Sequence, residues 1–173
     1  MAAAGILGPD DRIELLDGLL VEKMTKKPPH RIATRRTIDA LTDLVPPGWY
    51  VDAQEPIVTA DSEPEPDVVV IVGDTGDYVQ TNPAASAVAL VVEVSDDSLA
   101  RDREIKGPIY ARAGIPTYWI VNLVDRCVEV YTEPSDGRDA RYGVRVDHTG
   151  GGSITVTLGG LVVGAVAVDA LLR

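Results

Sequence analysis

The sequence predicts an α/β (α+β) fold with a sheet-rich interior, two helical stretches and additional strands toward the C-terminus. Three observations predict it. The runs 67–72 and 87–94 are nearly continuous in Val, Ile, Leu and Ala, as expected of strands covered on both faces. Helical spacing of apolar residues follows Pro28-Pro29 and returns after Ser98. From Cys127 onward the chain holds three further β-rich runs separated by Ser135-Asp136-Gly137 and Gly150-Gly151-Gly152.

Residues 1–11 read as a flexible leader with a turn at Gly8-Pro9-Asp10, and residues 12–173 as a single domain. A short element over 13–17 turns at Asp17-Gly18 into a strand over 19–24, because Asp-Gly suits the positive-φ positions of a two-residue hairpin loop. Pro28-Pro29 fits the first turn of a helix, where the missing N–H costs nothing. Ile32, Ile38, Leu41 and Leu44 then mark its apolar face, and Pro46-Pro47-Gly48 ends it. Two short strands are expected at 49–53 and 56–59, followed by an acidic, proline-interrupted loop over 61–66 and the apolar strand at 67–72.

A loop containing Gly73, Gly76 and Asn82-Pro83 leads into the central strand at 87–94, which lacks a polar residue until Glu93. Ser95-Asp96-Asp97-Ser98 is expected to cap the next helix, whose apolar stripe is Leu99, Ile105, Ile109, Tyr110 and Ala113. Pro108 removes one hydrogen bond and predicts a kink; Gly114 and Pro116 end the helix. Strands are expected at 117–122, 127–132, 142–146 and 153–158, and a short strand or helix over 161–172.

A chain of 173 residues with 45% hydrophobic content supports one substantial core. Phe is absent, so Val, Ala, Leu and Ile must build most of it. A net charge of −11 argues against a general nucleic-acid binder, which needs clustered cations. The charge is nevertheless unevenly spread. Lys23, Lys26, Lys27, Arg31, Arg35 and Arg36 form a run without an intervening acid, and Arg101, Arg103, Lys106 and Arg112 form a second basic group. Such a run is ordinarily a solvated helix face; its functional reading makes Lys26, Lys27, Arg31 and Arg35 contacts to nucleic-acid phosphates.

The single cysteine, Cys127, cannot form an intramolecular disulfide, and no Cys/His spacing matches a zinc site. Together with the lack of a long apolar segment, this predicts a soluble, cytoplasmic protein without membrane association. No Gly-rich phosphate loop and no Gly-x-Ser-x-Gly elbow is present.

The residues that carry chemistry are two acids on apolar strands. Asp67 opens one run and Glu93 closes the other. Ionised carboxylates in such settings are costly unless paired or coordinated, and a hard divalent cation offsets that cost. Local chemistry also allows each residue a purely structural role. Asp67 can simply start a strand, Glu93 can sit in a buried ion pair with an arginine, and Lys106 can form an i,i+4 helix pair with Asp102. His30 reads as a surface or capping group, and Tyr118 and Trp119 as core.

The segments Glu14-Leu15-Leu16-Asp17-Gly18, Pro66-Asp67-Val68, Glu93-Val94-Ser95, Asp102-Arg103-Glu104-Ile105-Lys106 and the stretch from Tyr110 through Pro116 to Asn122 resemble the Uma-two family of restriction endonuclease-like proteins. These are PD-(D/E)XK nuclease-like proteins, and the resemblance spans roughly residues 12–165. It implies a restriction-endonuclease-like mixed central β-sheet flanked by helices, in which Asp67 and Glu93, on neighbouring strands, hold Mg2+ or Mn2+. It also implies Glu14 as a further metal contact and DNA as the substrate; the Val94 carbonyl, which follows Glu93 on the same strand, is another candidate metal ligand.

The usual lysine two residues after the second acid is replaced here by Ser95, so the resemblance assigns its role to Lys106 on the following helix. Gln54 and Glu55 precede a neighbouring strand and are further candidates for the same site. A homodimer is expected, because cutting two strands needs two active centres or a rearrangement. The competing reading is a catalytically inactive nuclease-fold binding or assembly module. Convergence of Asp67, Glu93 and Lys106 in one cleft is the observation that separates them.

Overall fold

A computed structural model of the protein describes residues 12–172, so the leader expected over 1–11 lies outside the described residues. Six strands form the central sheet: β3 (Trp49–Asp52), β4 (Val68–Val72), β5 (Val88–Ser95), β6 (Thr117–Asn122), β7 (Cys127–Pro134) and β8 (Tyr142–Thr149), in that spatial order. Only β5 and β6 pair in parallel; the other neighbours are antiparallel. The parallel pair needs a crossover, and the helical segment between β5 and β6 supplies it.

Alternation along these strands sorts the core into two layers. Val68, Val70, Leu90, Val92, Trp119 and Val121 face a layer made by helix α1 (Pro28–Thr42), the hairpin β9 (Ser153–Leu158) and β10 (Leu161–Ala167), and the short helix α4 (Val168–Leu172). Val69, Ile71, Val91, Tyr118 and Ile120 face the opposite way, against Ile57, Ala85, Tyr110 and Ile115. Every residue of β5 is buried, as its apolar run required. Tyr118 and Trp119 are both core, on opposite faces.

The hairpin of β1 (Ile13–Leu16) and β2 (Leu19–Glu22) stands apart from this sheet. Its turn places Asp17 at φ 49° and Gly18 at φ 75°, both in the left-handed region that an Asp-Gly pair tolerates. The β1 strand docks through a bridge between Leu15 and Glu63, and the neighbouring Glu14 accepts from the Glu65 N–H.

Three local expectations are revised. No strand forms at 56–59: residues 53–66 run irregularly, with Gln54 N–H donating to Pro66 O, Ile57 N–H to Pro64 O and a single bridge from Val58 to Ala84. Pro56, Pro64 and Pro66 lack the donors that a continuous ladder requires.

In α1 the buried face is His30, Ala33, Thr34, Thr37 and Leu41, whereas Ile32 is exposed. Thr34 and Thr37 can be buried because their hydroxyls donate to the carbonyls of His30 and Ala33. Finally, neither Ser95 nor Ser98 caps the helix after β5, because both hydroxyls donate to the Asp102 carboxylate instead.

That helical segment consists of α2 (Leu99–Arg101), a π turn at Asp102–Lys106 and α3 (Gly107–Arg112). The kink expected at Pro108 takes the form of this π turn. Pro108 cannot donate, and its ring crowds the carbonyl four residues back. Widening the preceding turn, with Gly107 N–H donating to Asp102 O, relieves the conflict. The turn also buries Asp102 and Lys106 together on its inner side. Gly114, at φ 74°, closes α3 as Ile115 N–H returns to Tyr110 O.

Candidate active site

Four separate elements deliver charged side chains to one cavity of about 270 Å3. Glu14 comes from β1, Asp67 from the residue before β4, Glu93 from β5 and Lys106 from the π turn, and each is at least nine-tenths buried. The pairing of Val68 with Val92, extended by one antiparallel step, sets Asp67 beside Glu93 on the same sheet face.

Lys106 is the hub. Its Nζ lies 2.9 Å from Glu93 Oε1 and 3.1 Å from Glu14 Oε2, while the Tyr110 hydroxyl donates to the same Glu93 oxygen at 2.6 Å. The i,i+4 partnership with Asp102 does not form as an ion pair. Asp102 instead accepts from Ser95 and Ser98, at 2.6 Å each, on the cavity wall. The partner of Glu93 is thus a lysine, not an arginine.

Asp67 has its own retinue. Lys26 Nζ stands 2.9 Å from Oδ1, His30 Nε2 3.1 Å from Oδ2, and the Val94 N–H donates to Oδ2 at 2.9 Å. His30 is therefore a buried wall of the cavity and not a surface or capping group. Sequence reasoning missed it because a histidine just after Pro28-Pro29 resembles helix-start chemistry. The signal that could have found it was its place one helical turn before Thr34 on the buried face.

Of the remaining candidates, Gln54 and Val94 line the cavity, and Glu55 does not. Gln54 adopts φ 63°, a left-handed conformation unusual for this side chain, at the point where the irregular segment passes the site. The basic run divides. Lys26 enters the site, Lys27 pairs with Asp97, and Arg35 pairs with Asp39 on the outer face of α1; Arg31 is exposed on the same helix.

Burial and neighbouring charges set the protonation of these groups. Desolvation pushes the Glu93 carboxyl up to about 8, with Asp102 and Asp67 adding to the rise against the pull of Lys106. Burial alone would also raise Asp67, but the contacts to His30 and Lys26 outweigh it and hold the carboxyl down at about 2. Lys106 is desolvated too, yet Glu93, Glu14 and Asp102 raise it and keep it an ammonium. Of these three groups, Asp67 is thus held low, while Glu93 and Lys106 are both held high.

Among the described residues, no three Asp, Glu, His or Cys side chains are grouped closely enough to enclose a metal ion by themselves. The donors are nevertheless all hard oxygens. One or two carboxylates, completed by water and phosphate oxygens, is the arrangement Mg2+ prefers.

A second polar node braces the site from behind. Glu129 on β7 is fully buried and takes a two-pronged contact from Arg103 of the π turn, with Asn122 donating to it at 2.7 Å and Tyr131 at 2.6 Å. Arg103 and Lys106 sit on the same turn, so this node ties the lysine's backbone to the sheet.

The fold is a six-stranded mixed sheet with helices and a further hairpin packed against it. The crystal structure of a "putative nuclease belonging to DUF820" from Anabaena variabilis matches it with a TM-score of 0.66 over 98% of this chain and 94% of that one, at 12% sequence identity. The chain belongs to the Uma2 (Uma-two) family, described as "Putative restriction endonuclease", whose family model matches residues 3–163. No curated protein sequence matches it. Among the described residues, no helix is long and apolar enough to cross a membrane.

Proposed function

We propose that the protein is an endonuclease that hydrolyses DNA phosphodiester bonds with the help of Mg2+ or Mn2+. The observation that carries this reading is the convergence of Glu14, Asp67, Glu93 and Lys106, from four separate elements, in one cavity. Asp67 and Glu93 would hold the ion, with Glu14 and the Val94 carbonyl as further oxygen donors. Such an ion, when bound, lowers the pKa of a water molecule and polarises a phosphoryl oxygen.

The chain's own groups do the rest. His30 and Lys26 keep Asp67 ionised and correctly turned, and Tyr110 fixes the orientation of Glu93. Lys106 presents its ammonium at the floor of the cavity, where it orients the attacking water and neutralises charge gathering on the phosphate. On this reading the protein works in the cytoplasm and as a homodimer, one active centre for each strand.

The test is cleavage of supercoiled plasmid and of single-stranded DNA across Mg2+ and Mn2+, comparing wild type with Asp67→Ala, Glu93→Ala and Lys106→Met. Metal-dependent nicking that disappears in all three variants is expected. Cleavage unaffected by Asp67→Ala or Glu93→Ala overturns the site. A second reading, an inactive nuclease-fold binding or assembly module, draws on one observation: Asp67 and Glu93 already carry protein cations. It predicts a folded wild type that leaves both DNA forms intact under every metal.

A further inference from the structure

The basic side chains that line the cavity fall into two groups. Lys23, Lys26, His30 and Lys106 each contact a carboxylate. Arg12 and Arg101 line the same cavity, and among the described residues neither is within ion-pair reach of an acid. Both are instead anchored to backbone carbonyls at the end of β2. Arg101 Nη1 donates to Glu22 O at 3.0 Å, and Arg12 Nη2 donates to Lys23 O at 3.3 Å.

Arg101 carries a further sign of incompleteness. Its Nε–H is shielded from water and, among the described residues, has no acceptor. A buried donor left unmade costs free energy that an incoming acceptor restores. The guanidinium, held at Nη1 and unsatisfied at Nε, has the fork geometry that takes an anion with paired oxygens.

We propose that Arg101, seconded by Arg12, grips a phosphate of the DNA strand entering the cavity. This rests on the nuclease reading of the same site and assigns its phosphate contact to these two arginines instead of the outer face of α1. Lys27 and Arg35 are spoken for by Asp97 and Asp39, whereas Arg101 immediately precedes the π turn that carries Lys106. Arg101 thus lines the same cavity as Asp67, Glu93 and Lys106.

The experiment is fluorescence anisotropy with a short labelled DNA duplex in EDTA, over a series of salt concentrations, alongside the plasmid assay. Arg101→Gln is expected to weaken binding about tenfold and to reduce the salt slope by about one phosphate contact. Arg101→Lys, which keeps the charge but not the fork, is expected to fall between, and so serves if the glutamine variant folds poorly. Arg12→Gln should add a smaller loss, and Arg31→Gln should bind as wild type does.

Unchanged binding by Arg101→Gln and Arg101→Lys, or a loss that follows Arg31→Gln instead, overturns the clamp. The two readings fail separately. A wild type that binds through Arg101 but never nicks plasmid leaves the clamp standing and removes the nuclease. One that nicks through Asp67 with binding indifferent to Arg101 does the reverse.

Discussion

Glu93→Gln should stabilise the protein near neutral pH and, on the proposed nuclease function, abolish cleavage. The substituted amide keeps the shape and retains an oxygen that accepts from Lys106 and Tyr110, so it imitates the protonated acid. The folded-state carboxyl titrates at about 8 against an ordinary value of 4.5. A raised acid contributes stability in full below the lower value and loses it as pH climbs through the upper one. At roughly 1.4 kcal/mol per pH unit, wild type gives up about 3 kcal/mol by pH 7 and about 5 by pH 9, relative to a side chain that cannot ionise.

The glutamine variant should therefore match wild type to within about 1 kcal/mol at pH 5 and exceed it by roughly 2–4 kcal/mol at pH 7 and above, the loss of a charge partner for Lys106 taking back a part. Urea unfolding at a series of pH values, with the slope checked for constancy, reads this directly. A variant less stable than wild type at pH 8 would refute the reasoning. It would mean that the Lys106 ion pair outweighs the desolvation of Glu93.

Two further outcomes follow from the same geometry. His30→Ala removes one of the contacts that hold Asp67 at about 2, so about 1–3 kcal/mol should be lost at neutral pH. Because a depressed acid contributes above 3.8 and loses that contribution as pH falls toward 2, the acid unfolding limb of the variant should begin at higher pH; identical acid limbs would count against the pairing. Arg103→Met leaves the fully buried Glu129 short of its main partner and should cost about 2–4 kcal/mol, while adding Glu129→Leu should recover much of it. A double variant no better than the single would show that the node contributes by something other than charge.

The parts of the fold legible in the sequence are those fixed by local chemistry. Asp17-Gly18 dictated a hairpin, the apolar run ending at Glu93 dictated a central strand, and Gly114 dictated a helix end; each rests on a preference felt within a few residues. The same holds for the site, since Asp67 and Glu93 stand out by polarity against their own strands. Partners across the fold were not legible. That His30 and Lys26 meet Asp67, or that Glu14 meets Lys106, depends on how the β1–β2 hairpin and α1 dock, which no window of sequence encodes. Residues 56–59 misled because Val and Ile near prolines suit a strand in composition, while the missing donors are decisive only once a neighbour is sought.

The π turn ahead of Pro108 divides the crossover segment into two reading frames. A π turn amounts to one residue added to an α-helix, so residues before and after it are counted on wheels rotated by about 100°. A single stripe drawn through Leu99, Ile105 and Ile109 therefore spans both frames, and Ile105 emerges 41% exposed. The same offset makes the segment intolerant of length change. Deleting Glu104 or Ile105 would merge the two frames and turn Asp102, Arg101 and Ser98 away from the cavity without altering any of their side chains. A length variant of this kind, silent in composition, should be more damaging than most substitutions along the segment.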